Sequence, residues 1–245
     1  MEYRTIELTD RELFDRKYKE EQKRCCEHSF SNNFLWQVVY PAEFAVVEGC
    51  LNVRFTNPRG LVYDFPVGNG DKKAAMDQIL AEGKANGGLE MYGILKEEVE
   101  LLEQWYPGIF EIEPDRDLFD YLYESEHLIQ LRGKKLHGKR NHIARFKDHD
   151  NWNYEPLMPE NREDCLQMNR IWKDRHAEKW NGDMEREFRV VNTALRLFDQ
   201  IGLVGGVLRL DGEVVAFTLG EPLCNDTFVV HFEKAFPEIQ GAYPM

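Results

Sequence analysis

One short hairpin most constrains the fold of this 245-residue chain. The dipeptide Asp211-Gly212 separates two apolar runs, Leu203–Leu210 and Glu213–Leu219. Asp-Gly favours the tight type I′ turn, in which both central residues take positive φ values and the flanking strands keep their natural twist. A further β-type run, Thr227–Lys234, follows closely. The sequence therefore predicts a meander of three strands near its C-terminus, preceded by helices at Asn161–His176 and Met184–Ile201.

A similar order of elements is predicted in the first half of the chain. A helix at Asp10–Arg24 precedes three β-type runs, and a helix at Asp71–Asn86 follows them, with Asp71 as its N-cap. The three runs are Phe44–Glu48, Leu51–Thr56 and Leu61–Phe65. Later apolar and alternating runs predict a helix at Lys96–Tyr106 and strands at Leu89–Ile94, Phe110–Glu113 and Phe119–Tyr123.

Composition narrows the class of protein. With 42% apolar and 31% charged residues the chain is typical of a globular protein, and no apolar run reaches the roughly 18 residues of a membrane span. A net charge of −13 makes DNA an unexpected partner. Five cysteines, without the spacing of a disulfide framework, favour a reducing, cytoplasmic location. Cys25, Cys26 and His28 lie together but lack the second ligand pair of a zinc site, so no metal site is predicted.

A basic segment, His127–Lys147, stands out in this acidic chain because it contains no Asp or Glu. Guanidinium groups suit phosphate bidentately, and a lysine ammonium acts as a point charge. One interpretation is therefore a surface that binds a phosphate-bearing partner. The other is a linker helix neutralised by the acidic halves it joins. The cations are Arg132, Lys134, Lys135, Lys139, Arg140, Arg145 and Lys147.

The order of elements resembles the acetyltransferase-like (GNAT) fold, in which a strand, two helices and three antiparallel strands lead to a phosphate loop and a helix. Two segments also resemble motifs of the phosphatidylglycerol lysyltransferase C-terminal-domain family. They are LIQLRGKKLHGKRNHIARFK at 128–147 and VVHFEKAFPEIQGAYP at 229–244. The resemblance implies a bacterial α+β protein with a first GNAT-like half at 1–130, a basic junction helix at 131–150 and a second half at 151–245. That second half is expected to be truncated, because residue 245 lies where its next helix is expected.

The same resemblance implies transfer of an acyl or aminoacyl group from acyl-CoA or aminoacyl-tRNA to an amine or hydroxyl, with an anionic lipid headgroup among the acceptors. Neither carrier is expected to be a tightly bound cofactor. The best-known family members move lysine from lysyl-tRNA to phosphatidylglycerol and carry a large membrane domain. The alternative is a non-catalytic module that binds anions or a partner on the same scaffold, since fold does not imply function.

Site residues follow from the same comparison. Glu233 and His231 share one face of a strand and are the candidate acid/base pair, with simple cross-strand pairing of Glu233 as the alternative. Gln240 and Gly241 resemble a shortened pyrophosphate loop, and Gly68–Gly70 lies in the equivalent place in the first half. An ordinary turn is the alternative for both loops. The predicted carrier phosphate ligands in the basic segment are Arg132, Lys134, Lys135, Lys139, Arg140 and Arg145.

Overall fold

The computed structural model describes all 245 residues, which divide into two compact units. Unit 1 comprises residues 1–120 and 223–227, and unit 2 comprises residues 121–222 and 228–245. The structure contains two β-sheets flanked by helices, so the predicted α+β class is confirmed. None of its helices combines the length and apolar character needed to cross a membrane.

The sheet of unit 1 has the order β1-β2-β3-β4-β5, and only its last pair is parallel. Its core includes Phe14, which makes edge-to-face contacts with Phe30 and Phe44 at centroid distances of 5.6 and 5.0 Å. The strands are β1 (Arg4–Thr5), β2 (Ala42–Val47), β3 (Cys50–Asn57), β4 (Gly60–Tyr63) and β5 (Glu90–Met91). The helices are α1 (Arg11–Glu21), α2 (Phe30–Trp36), α3 (Lys72–Ala85) and α4 (Lys96–Trp105).

Local chemistry explains where these elements begin. The Asp71 carboxylate accepts a hydrogen bond from the Ala74 N–H at 2.9 Å, which confirms the predicted cap of α3. Helix α2 was not predicted, although Ser29 caps it by accepting from the Asn32 N–H. The strands predicted at Phe110–Glu113 and Phe119–Tyr123 are wrong, because both segments lie outside every sheet and are largely exposed.

Unit 2 begins with helices α5 (Ser125–Gln130) and α6 (His137–Lys147), separated by a 3-10 turn at Lys134–Leu136. Its sheet has the order β6-β7-β8-β9. Asp211 and Gly212 adopt φ values of 52° and 85°, so the predicted tight turn is confirmed. The remaining elements are β6 (Trp152–Pro156), α7 (Arg162–Arg175), α8 (Gly182–Ile201), β7 (Val204–Leu210), β8 (Glu213–Cys224) and β9 (Thr227–Ala235).

The C-terminal loop packs directly on the backbone of α6. Gly241 has a φ of 89°, and a Cβ at this position would overlap the carbonyl oxygen of His142 and press on Phe146. Phe146 is itself fully buried. Position 241 therefore requires glycine for two reasons, its backbone angle and the close approach of two chain segments.

We expect two glycine substitutions, one at this contact and one at an open position of α6, to have opposite effects. Gly241→Ala should lower the free energy of unfolding by roughly 1–3 kcal/mol, because it adds both strain and overlap. Gly138→Ala should raise it by about 0.5–1 kcal/mol, because a Cβ there meets nothing within 4 Å and alanine favours the helix. Chemical denaturation measures both free energies of unfolding. A change of the same sign in the two variants would contradict this account.

Candidate active site

The two acid/base candidates on β9 have separate partners. The His231 Nε2 atom lies 2.9 Å from Glu221 Oε1 on β8, and these two side chains are only 4% and 11% exposed. Glu233 instead is exposed and lies near Tyr243, and its negative charge, with burial, raises the pKa of Tyr243. The structure thus replaces the expected His231–Glu233 pair with a nearly buried Glu221–His231 pair.

Sequence reasoning missed Glu221. It lies ten residues before His231, and only the pairing of β8 with β9 brings the two side chains together. The available signal was an acidic residue at the end of an otherwise apolar strand. A carboxylate beside an imidazole is a frequent arrangement for fixing the tautomer and orientation of the ring.

Lys234 lies on the opposite side of β9 and is buried. Its ammonium contacts Glu187 Oε1 at 2.9 Å and lies 4.1 Å from the centre of the Trp172 ring. The Trp172 ring is stacked on His176 at 4.0 Å. A buried ammonium needs both a counter-charge and polarisable contacts, and α7 and α8 supply them. This lysine therefore anchors β9 to the helices rather than presenting a free charge.

The basic segment has no carboxylate partner for any of its seven cations. Six of them are exposed, as phosphate binding requires: Arg132, Lys134, Lys135, Lys139, Arg145 and Lys147. Arg140 differs, because its guanidinium donates to the carbonyl oxygens of Leu131 and, at 3.0 Å, Gly133. It closes the bend between α5 and α6, where Gly133 has a φ of 96°.

The terminal loop joins these groups within unit 2. Gln240 Nε2 lies 3.3 Å from His142 Nδ1 on α6, and Gly241 packs on the His142 carbonyl. Lys139 Nζ lies 5.9 Å from the centre of the Tyr243 ring, and the charge of Glu233 on β9 raises the pKa of Tyr243. The two segments predicted to bind phosphate, the C-terminal loop and the basic helix, therefore lie together. Tyr243 links them to β9.

The loop Gly68–Gly70 in unit 1 is different, because carboxylates of α1 occupy its backbone donors. The Gly68 N–H donates to Glu21, and the Asn69 N–H donates to Glu20 at 2.9 Å. Lys72 pairs with the same Glu21 carboxylate at 2.8 Å. Backbone N–H groups and a lysine are a typical phosphate cradle, and here the chain's own anions fill it.

Comparison with known proteins agrees with the motifs at 128–147 and 229–244. The sequence profile described as phosphatidylglycerol lysyltransferase, C-terminal, matches residues 18–245. The chain belongs to this family. The predicted resemblance is thereby confirmed, and the family relationship is consistent with aminoacyl transfer to a lipid. A comparison with curated proteins found no match.

Two solved structures are similar to this family member. A conserved protein of unknown function from Bacteroides thetaiotaomicron VPI-5482 is 35% identical, with 99% of this chain and 82% of that chain covered and a TM-score of 0.92. The C-terminal domain of a putative lysylphosphatidylglycerol synthetase from Agrobacterium fabrum is 14% identical. It covers 93% of this chain and 68% of its own, with a TM-score of 0.53, and the likeness shows the fold alone.

We expect polyanion binding by the basic segment to weaken with salt. If about four or five phosphates are contacted, the slope of log affinity against log salt should be about −4. Replacing Lys134 and Lys135 together by Gln should make that slope shallower by about 2, because each contact contributes roughly 0.9. Fluorescence anisotropy with uncharged tRNA measures the slope. Lys84→Gln, an exposed lysine in unit 1, is the control, and a flat salt response in the unaltered protein would exclude nucleic acid at this surface.

Proposed function

We propose that this protein transfers an aminoacyl or acyl group from a phosphate-bearing carrier to a hydroxyl or amine of a lipid headgroup. One observation carries the proposal: unit 2 places six exposed cations without carboxylate partners, a glycine loop, the Glu221–His231 pair and the exposed Glu233 on connected elements. Membership of the lysyltransferase family supports lysyl-tRNA as the donor. Acyl-CoA is the other donor to be tested.

The order of elements supports two GNAT-like halves. The first half runs β1, α1, α2, β2, β3, β4, then the loop Gly68–Gly70 and α3. The second runs β6, α7, α8, β7, β8, β9 and then the loop containing Gly241. Of the two loops, the first is filled by Glu20 and Glu21, so the second is the candidate for the carrier.

The carrier would be held by its phosphates along the basic segment. Arg132 can meet a phosphate with two parallel hydrogen bonds, whereas the lysines act as point charges. Lys139 lies nearest to Tyr243 and so connects this surface to Glu233. Arg140 would contribute mainly by holding the bend between α5 and α6. The other proposed contacts are Lys134, Lys135, Arg145, Gln240 and Gly241.

The proposed step is direct transfer. The acceptor oxygen or nitrogen attacks the carbonyl carbon of the carrier ester or thioester, a new C–O or C–N bond forms, and the bond to the carrier breaks. The acceptor's proton passes to Glu233 or His231, and the leaving carrier takes up a proton. In the tautomer with the Nε2 proton facing Glu221, the free His231 Nδ1 lone pair accepts it. Holding both substrates supplies much of the rate, because the donor is already activated.

Transfer is tested directly with labelled substrates. The protein is incubated with lysyl-tRNA or with acyl-CoA, each labelled in the transferred group, and with vesicles that contain phosphatidylglycerol. We expect saturable binding of one carrier and label in the lipid fraction. Phosphatidylcholine vesicles are the acceptor control. Binding of neither carrier, with the protein folded, would contradict the proposal.

Three conservative substitutions separate the roles of Glu233, His231 and Glu221. Loss of the general base lowers turnover by about a hundredfold or more while carrier affinity stays unchanged, so Glu233→Gln or His231→Gln should identify it. Glu221→Gln should lower turnover only if His231 is the base, because Glu221 acts through the imidazole. Glu213→Gln, an exposed glutamate at the start of β8, is the matched control. Unchanged turnover in both base variants would remove this mechanism.

A second candidate function is a non-catalytic module that binds anions. The observation in its favour is that His231, one of the two acid/base candidates, is nearly buried and already paired with Glu221. This arrangement is also what purely structural pairing would produce. Carrier binding with the salt dependence given above, but without any transfer, would favour the module.

A further inference from the structure

A compact group of metal-ligating side chains belongs to unit 1, whereas the residues that carry the proposed activity belong to unit 2. The Cys25 thiol and the carboxylates of Glu27 and Asp120 each offer a donor atom, and all three atoms lie within 4.8 Å of one another. Cys26 adds a second thiol, 3.3 Å from Glu27 Oε2, the same oxygen that lies 3.0 Å from the Cys25 sulfur. The sequence could not reveal this group, because Asp120 lies 94 residues after Cys26.

The backbone holds these donors in place. The Cys26 N–H donates to Asp120 Oδ2 at 3.0 Å, which ties the distant carboxylate to the segment that follows α1. The His28 N–H donates to the Cys25 carbonyl at 2.9 Å and closes a turn around the two cysteines. The His28 ring itself stacks on Tyr18, with the ring centres 5.2 Å apart. The histidine that accompanies the cysteines in the sequence is therefore engaged elsewhere.

No basic side chain neutralises the group. The two neighbouring cations in the sequence are committed elsewhere, Lys23 to Glu97 at 2.7 Å and Arg24 to Asp226. Neither Glu27 nor Asp120 forms an ion pair with any lysine, arginine or histidine. Glu27 accepts hydrogen bonds from the two thiols, and the exposed Asp120 accepts one from the Cys26 N–H, so a bound cation would supply the counter-charge that both carboxylates lack.

The distances suit a small, thiophilic ion. Tetrahedral zinc binds sulfur at about 2.3 Å and carboxylate oxygen at about 2.0–2.2 Å, which sets neighbouring ligand atoms roughly 3.5 Å apart. In the structure the two thiols donate hydrogen bonds to Glu27 Oε2 over sulfur–oxygen distances of 3.0 and 3.3 Å, so the donor atoms would move apart slightly as a metal ion replaces the two protons. Thiolate ligands select zinc over magnesium and calcium, which prefer an all-oxygen shell.

We propose that Cys25, Glu27 and Asp120 bind one zinc-type divalent cation, with Cys26 as the fourth ligand. Each ligating thiol loses its proton to solvent as its bond to the metal forms. The ion links the segment that follows α1 to residue 120, the last residue of the 1–120 stretch of unit 1. Its role is structural, because all four ligands come from the protein and no position remains for a substrate.

Metal content and a cobalt spectrum test the site. Protein purified without chelators should contain about one zinc per chain by elemental analysis. Metal-free protein titrated with Co²⁺ should show thiolate-to-cobalt charge-transfer absorption and tetrahedral visible bands. Cys25→Ser should abolish the charge-transfer band or weaken it strongly. Cys165→Ala, which removes a buried thiol in unit 2, should leave the spectrum unchanged.

If Cys25→Ser does not fold, substitution of the exposed ligand Asp120 provides a second test. Asp120→Asn should weaken Co²⁺ binding by about tenfold or more, whereas the exposed neighbour Asp117→Asn should have no effect. Zinc should raise the midpoint of thermal unfolding of the unaltered protein, and less so in Asp120→Asn. Absence of stoichiometric metal, or a cobalt spectrum without sulfur ligation, would overturn the proposal. Failure of transfer activity would not, because the readouts do not involve it.

Discussion

The contact between Gly241 and the carbonyl of His142 is the constraint on which the candidate site depends. It brings two backbone segments closer than any side chain at position 241 would allow. Tyr243 therefore lies beside Lys139 on α6 and close enough to Glu233 on β9 for that charge to raise its pKa. Without this contact the basic helix, the loop and the strand would be separate features of unit 2. The arrangement rests on shape rather than charge, so salt should affect ligand binding more than it affects the site itself.

Local signals in the sequence predicted much of the fold. Asp211-Gly212 determines its turn through backbone preference alone, and Asp71 determines the start of α3 through one short hydrogen bond. The failures have equally local causes. Helix α2 consists largely of aromatic and asparagine residues, which have modest helix propensity, and its packing through Phe30 decides its conformation. The strand predicted at Phe110–Glu113 alternates correctly but has no neighbouring strand to pair with.

The candidate site was predictable in its residue types but not in its pairings. Glu233, His231, Gln240 and the basic segment were identified from motifs and charge. Which carboxylate meets His231 depends on the pairing of β8 with β9, and the sequence alone left Glu221 unnoticed. Arg140 was indistinguishable from the other cations until the carbonyls of Leu131 and Gly133 were seen to hold it. Long-range contacts of this kind carry no periodicity that a sequence pattern can reveal.

The Glu20 and Glu21 carboxylates of α1 occupy the backbone donors of the Gly68–Gly70 loop, as a bound anion would. Because Glu20 and Glu21 are covalently part of the chain, they are always present at high effective concentration, and a dissolved phosphate competes poorly with them. Ligand screening by thermal shift would therefore be silent at this loop, even with concentrated nucleotide. The two glutamates thereby make the loop an internal brace of unit 1. A variant that lacks them would leave the Gly68 and Asn69 N–H groups free to bind an anion.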